Sequence, residues 1–163
     1  MSSEALSLLM ESKISEFNAW RMSNLTVKLD FSKTDFSGKN LVGAYLNAIV
    51  ATEANFAGAD LTSANLVQSV LDKSNFAGAN LTETLFMYTE MKDVNLAGAN
   101  LTKTNFMWAN LQNANMTSTR MVQTVFVEAN MQNAIVEGAD KSGAYLKYAK
   151  LDGSSWAEKQ KAH

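Results

Sequence analysis

The residue types that carry most enzyme chemistry are scarce in this chain. Its one histidine, His163, ends a charged C-terminal stretch, and there is no cysteine. A Ser-His-Asp triad, an imidazole base, a histidine metal site and a thiolate nucleophile are excluded together. Disulfides go with them, which fits a reducing compartment. Paired carboxylates remain, for example Glu90 beside Asp93, but such pairs on the outside of a domain are ordinarily a solvated surface. Ala57-Gly58-Ala59-Asp60 is not a phosphate loop, because nothing places it between a strand and a helix. The glycosylation sequons at Asn24, Asn80, Asn100 and Asn115 arise from a repeated Asn-Leu-Thr or similar triplet and mean nothing without secretion. The sequence therefore predicts a non-enzyme with no cofactor and no metal.

What positions these side chains is an internal repeat. Ala54 to Leu61 returns as Ser74 to Leu81 and again as Val94 to Leu101, each time twenty residues on. Inside it runs a step of five: every fifth residue from Phe31 to Leu151 is apolar except Lys141. Two places before each of these stands a small residue in most units, such as Ala54, Ala59, Ala64, Ser69 and Ser74. Both columns must point inward. A period of five fits neither the 3.6 of a helix nor the 2 of a strand, so it marks a solenoid. Four short extended segments with corners between them make a square coil, and stacked coils pair their backbones at about 4.8 Å. The corners need a positive φ, and Gly38, Gly58, Gly78, Gly98 and Gly138, all on one face, suit the third position of stacked type II turns.

Before the repeat, residues 4 to about 22 read as one helix: Leu6, Met10, Ile14, Phe17 and Arg21 recur at steps of three and four, with Ser3 as N-cap and Ser12 as a possible internal break. With 163 residues, 47% hydrophobic and 18% charged, one domain is expected. Its parts are a helical cap and lead-in over 1–30, a solenoid over 31–156 and a polar tail over 157–163. The first residues lack a basic region and a sustained apolar run, and no segment approaches a membrane span. The expectation is a cytoplasmic protein that contacts no membrane.

The five-residue units resemble those of the pentapeptide-repeat proteins, whose motif is A(D/N)LXX, and the resemblance covers Phe31 to Leu151 in unbroken register. It implies an all-β solenoid, a right-handed quadrilateral β-helix of about six coils. The segment from Ile14 to Arg21 looks like the N-terminal α-helical cap that some members carry. Departures from the motif are Lys39, Ile49 and Val94 at the small position and Ala51 and Lys141 at the central one. Where Asp or Asn is usual, this chain has Val50, Val70, Leu85, Glu90, Arg120, Val125, Ile135 and Lys150. Members that confer quinolone resistance bind DNA gyrase and resemble duplex DNA in shape and charge. A rod of about six coils, roughly 29 Å long, would need on the order of 17 negative charges to match a duplex. Between Phe31 and Leu151 there are ten acidic and nine basic residues, a net charge of −1. DNA mimicry toward a topoisomerase is thus the alternative reading, and nucleic-acid binding, which wants a basic stripe, is not expected.

The remaining signal is a face. Leu85, Met87, Tyr88, Met107, Trp108, Val125, Val127, Tyr145 and Tyr148 all fall on the outside of one wall. Trp108 is at its centre, with Tyr88 one coil below and Tyr148 two coils above. An exposed apolar strip of a few hundred Å² is of the size that marks a partner site, and Trp, Tyr and Met are interface-enriched. The expectation is a non-catalytic module that binds an unidentified protein. A buried unpaired ammonium costs several kcal/mol, so Lys141 must lie in the final coil with its amine leaving through the open end. Trp156, on the same register, would then close that end. The resemblance implies homodimerisation there as an alternative.

Overall fold

The computed structural model describes residues 3–158 and contains α1 (Ser3–Met10), α2 (Ile14–Ser23) and, at the far end, α3 (Ser155–Glu158). The helix expected at the N-terminus is a helical pair, broken at the Ser12 that the sequence offers as a possible break. Ser12 has φ 55°, Lys13 N–H donates to Leu8 O at 2.8 Å and Ser12 N–H to Leu9 O at 3.0 Å, so a Schellman motif ends α1 without a glycine. The break re-aims the first helix. Ala5 and Leu9 are fully buried where Leu6 and Met10 were expected, while Phe17 and Arg21 are buried as the spacing predicts.

From Asp30 onward each paired residue bridges, in parallel, the residue twenty further on: Asp30 to Val50, Asp35 to Asn55, and so to Asn130 with Lys150. Four five-residue units therefore bring the chain back over itself, and the molecule is a β-helix of twenty-residue coils. Each wall contributes one bridging residue between corners, so among the described residues each strand is a single bridge.

The hydrogen-bond accounting explains the unit. In the unit beginning at Phe36, the Phe36 and Gly38 N–H groups donate to the next coil, at Asn55 O (2.6 Å) and Ala57 O (2.9 Å). Lys39 N–H closes the corner on Phe36 O at 3.1 Å, and one coil on, Asn55 N–H reaches back to Thr34 O at 2.9 Å. One N–H per unit is left, that of the residue after the central apolar one. An Asp or Asn two places earlier takes it: Ser37 N–H donates to Asp35 Oδ1 at 3.0 Å, and Thr82, Thr102 and Met107 are held the same way by Asn80, Asn100 and Asn105. The acidic or amide position of the unit is thus an Asx turn that completes the backbone.

Positive φ is not confined to the glycine side. Every corner from Lys33 to Gly153 places its third turn residue between φ 55° and 70°, including Lys33, Glu53, Tyr88, Trp108 and Tyr148. The four-sided path needs a sharp bend at each corner, and residues with a β-carbon enter that conformation wherever glycine is absent.

The core is two columns of stacked rings. Phe36, Phe56 and Phe76 stack at 5.0 and 4.7 Å; Phe86, Phe106 and Phe126 stack at 5.1 and 5.4 Å on the opposite side. Small residues fill the places beside the corners, and their hydroxyls are satisfied by backbone carbonyls: Thr84 Oγ1 donates to Leu61 O at 2.8 Å and Thr104 Oγ1 to Leu81 O at 2.7 Å.

Both ends are closed. On the first coil, the Asn18 side-chain amide accepts from Tyr45 N–H (2.8 Å) and donates to Gly43 O (2.9 Å), while Arg21 donates to Asn47 O (2.9 Å) and Val27 O (2.8 Å). These side chains stand in for a missing coil at an edge that would otherwise offer free backbone groups. Lys39 Nζ adds a bond to Met10 O at 2.8 Å. At the other end Trp156 is 8% exposed, edge-on to Phe126 at 5.9 Å, and Lys141 Nζ lies 4.9 Å from the centre of its ring. Ser155 continues the ladder onto Ala134 O and Val136 N–H.

Candidate functional site

The nine residues of the outer strip divide between a wall and a corner. Leu85, Val125 and Tyr145 are bridging residues on the flat wall, with Val125 paired directly to Tyr145. Met87, Met107 and Val127 are the second residues of successive corners, and Tyr88, Trp108 and Tyr148 occupy the left-handed third position. The strip is therefore a ridge with one flank. Simple register counting puts these residues on one side of the tube but cannot say that a turn, rather than a wall, carries most of them.

The ridge is apolar and open. The Tyr88 and Trp108 rings stack face to face at 4.6 Å and 13°, yet remain 52% and 41% exposed. Leu85, Met87, Met107, Val125 and Val127 are half-buried around them, and Tyr145 and Tyr148 are exposed above. Glu128 interrupts the corner column between Trp108 and Tyr148, so Tyr148 does not continue the aromatic stack; Lys147 Nζ lies over its ring at 5.0 Å.

A second property of the ridge follows from the Asx turns. Leu85 and Val125 stand where Asp or Asn would hold the next corner, so the N–H groups of Met87 and Val127 receive no such acceptor, whereas Met107 N–H is held by Asn105. Lys147 N–H, two places after Tyr145, likewise lacks one, so the corner column carries three backbone donors without an Asx acceptor.

Exposed apolar residues beyond the expected set extend the surface. Tyr45 lies two coils below Leu85 on the same wall, with Val42 at the preceding corner, and Val50 is on the adjoining wall. Tyr45 carried the same twenty-residue register signal as Leu85, Val125 and Tyr145, and could have been found by it.

Among the described residues no catalytic constellation assembles. Glu90 pairs with Lys92 at 3.7 Å and accepts from Asn110 Nδ2 at 2.9 Å, while Asp93 accepts from Asn113 Nδ2 at 2.9 Å. Among the described residues no cluster of His, Cys, Asp or Glu could hold a metal ion, and no helix is long and apolar enough to cross a membrane. His163 and most of the polar tail lie outside the described residues. Within the coils, the carboxylates shifted by structure are corner acceptors instead. The Ser32 hydroxyl and N–H hold Asp30 below the usual carboxylate range, the Ser37 N–H and hydroxyl do so for Asp35, and the Ser142 hydroxyl and N–H for Asp140.

The family described as pentapeptide repeats matches in eight copies, over residues 52–87, 89–126 and 124–155, more than half of the chain. Among solved structures, HetL from the cyanobacterium Nostoc, a pentapeptide repeat protein involved in heterocyst differentiation regulation, is 26% identical with a TM-score of 0.53. The match covers 77% of this chain but only 65% of HetL, so the chain spans about two thirds of that protein's length. Rfr23 from the cyanobacterium Cyanothece, also a pentapeptide repeat protein, is 20% identical over 86% of this chain and 97% of its own, with a TM-score of 0.47. QnrB1, a plasmid-mediated fluoroquinolone resistance protein, is 16% identical over 78% of this chain and 72% of its own, with a TM-score of 0.41. No curated protein matches the chain.

Proposed function

The chain belongs to the pentapeptide-repeat family, and on that premise we propose that it is a non-catalytic protein-binding module that docks a protein partner on its Met87–Trp108 ridge. The observation that carries this reading is the exposed Tyr88–Trp108 stack. Two large aromatic rings sit at left-handed corner positions, where glycine is the least costly occupant, and burial in the chain's own core accounts for neither. Half-buried methionines and backbone donors without an Asx acceptor surround them, the mixture of apolar anchors and satisfiable polar groups typical of an interface centre. HetL's involvement in regulating differentiation is in keeping with binding rather than turnover.

The unit that presents the ridge is the solenoid over 31–156, wound right-handed in about six coils behind the cap over 1–30, in a cytoplasmic protein. Ten acidic against nine basic residues between Phe31 and Leu151 favour a protein surface over a duplex mimic. Self-association through the C-terminal end comes second, because Trp156 already lies across the last coil.

The test is cross-linking of the intact protein in its source cells, wild type against Met87→Glu with Met107→Glu. A specific adduct that the double variant loses while keeping the wild-type melting curve supports the reading. An adduct formed equally by both overturns it. In a supercoiling assay the protein should leave gyrase unaffected; inhibition at micromolar protein would instead establish the topoisomerase reading.

A further inference from the structure

We propose that the corner column formed by Trp108, Glu128 and Tyr148 is a binding site for a guanidinium group, supplied by an arginine of the protein partner. The proposal deepens the protein-binding reading and rests on it. These three residues occupy the same left-handed corner position on successive coils, with φ 58°, 56° and 62°. The Tyr88–Trp108 stack shows how aromatic side chains lie in this column: ring on ring along the coil axis, with ring faces turned toward the coils above and below. The upper face of Trp108 therefore looks toward the level of Glu128, and beyond it stands Tyr148.

The spacing fits a cation. Two coils separate Trp108 from Tyr148, roughly 9.6 Å at about 4.8 Å per coil, so a group at the height of Glu128 lies about one coil, 4.8 Å, from the level of each residue. That is inside the roughly 6 Å over which a cation is attracted to a ring face, with tryptophan the strongest partner. A flat guanidinium has a further advantage over an ammonium. Lying parallel to the Trp108 ring, it directs its N–H groups in its own plane, at the level of the coil that carries Glu128. Among the described residues that carboxylate has no ion-pair partner. The column already attracts a cation: Lys147 Nζ lies 5.0 Å from the centre of the Tyr148 ring. Lys147 belongs to the corner itself, and an incoming guanidinium competes with it for that ring.

The experiment titrates capped arginine into the intact ¹⁵N-labelled protein and follows the indole N–H of Trp108, with capped citrulline as the neutral isostere. A saturable shift with arginine and none with citrulline is expected, while the indoles of Trp20 and Trp156 stay still and report an intact fold. Glu128→Gln and Tyr148→Leu should each weaken binding by about tenfold, and Lys147→Gln should strengthen it a few-fold by removing the competitor. An equal response to citrulline, or an affinity unchanged in Glu128→Gln, overturns the proposal. If cross-linking is lost in the Met87 and Met107 variants but arginine leaves Trp108 unmoved, the cation site falls and the docking ridge stands. If arginine binds as described but the methionine variants cross-link normally, the docking ridge falls.

Discussion

Phe106 and Met107 are neighbours in the chain with opposite environments, and replacing each in turn tests the inside-outside assignment at its sharpest point. Phe106 is fully buried, with Phe86 at 5.1 Å below it and Phe126 at 5.4 Å above, both rings within 5° of parallel. Phe→Ala in a core costs about 3–5 kcal/mol, and each lost ring pair adds about 0.5–1.5 kcal/mol beyond area. Backbone ladders clamp the coils on either side, so the cavity cannot collapse. Phe106→Ala should therefore fall at the upper end, about 5 kcal/mol. Met107, one residue on, is half-buried on the ridge, so Met107→Glu should change stability by less than about 1 kcal/mol. Urea unfolding of both variants, followed by far-ultraviolet circular dichroism, measures the pair. A loss below about 2 kcal/mol for Phe106→Ala, or a larger loss for Met107→Glu than for Phe106→Ala, would refute the assignment of core and ridge.

Three further outcomes are expected. Removing residues 1–22 takes away Asn18 and Arg21, which occupy the first coil's edge. The product should aggregate or melt without cooperativity, and an unchanged melting curve would show that the helices do not cap. Lys141→Leu should be neutral or stabilising, because among the described residues no further coil is stacked on Lys141 and its amine lies over the Trp156 ring; a marked fall in melting temperature would contradict that placement. Asp30, Asp35 and Asp140 are more acidic in the fold than unfolded. The stability they add is complete above the ordinary carboxylate range and drains as pH falls through their lowered folded values. Asp35→Asn keeps the corner acceptor while removing the titration, so its urea midpoint should fall less steeply with acid than that of the wild type; parallel curves would refute the coupling.

The fold was legible because its signal is one-dimensional. A step of five that holds from Phe31 to Leu151 can only place those residues inside a tube, and the twenty-residue echo gives the coil. What could not be read depends on contacts distant in sequence or on backbone conformation that composition hides. Lys33, Tyr88 and Trp108 adopt the corner conformation without glycine, so the residue types announced it mainly on one side. Ser12 stands out as a possible break, but the backbone bonds with which it ends α1 are ones any residue could make. Asn18 and Arg21 look like ordinary helix positions until the first coil is set beneath them. The outer residues share one side of the tube by register, but their division between ridge and wall depends on where the chain bends.

The twenty-residue coil also constrains how such a chain can change over generations. Losing or gaining one five-residue unit leaves every inward position inward, so the core tolerates it. All residues beyond the change, however, are carried round by one side of the square. A ridge built from Met87, Tyr88, Met107 and Trp108 would be cut in two, its halves facing different directions. Only insertions or deletions of whole coils preserve a binding edge while altering its length. The echo of Ala54 to Leu61 at Ser74 and Val94 is the trace expected of a lineage that grew by whole coils, in which the outer columns are the heritable unit and the tube merely keeps them in line.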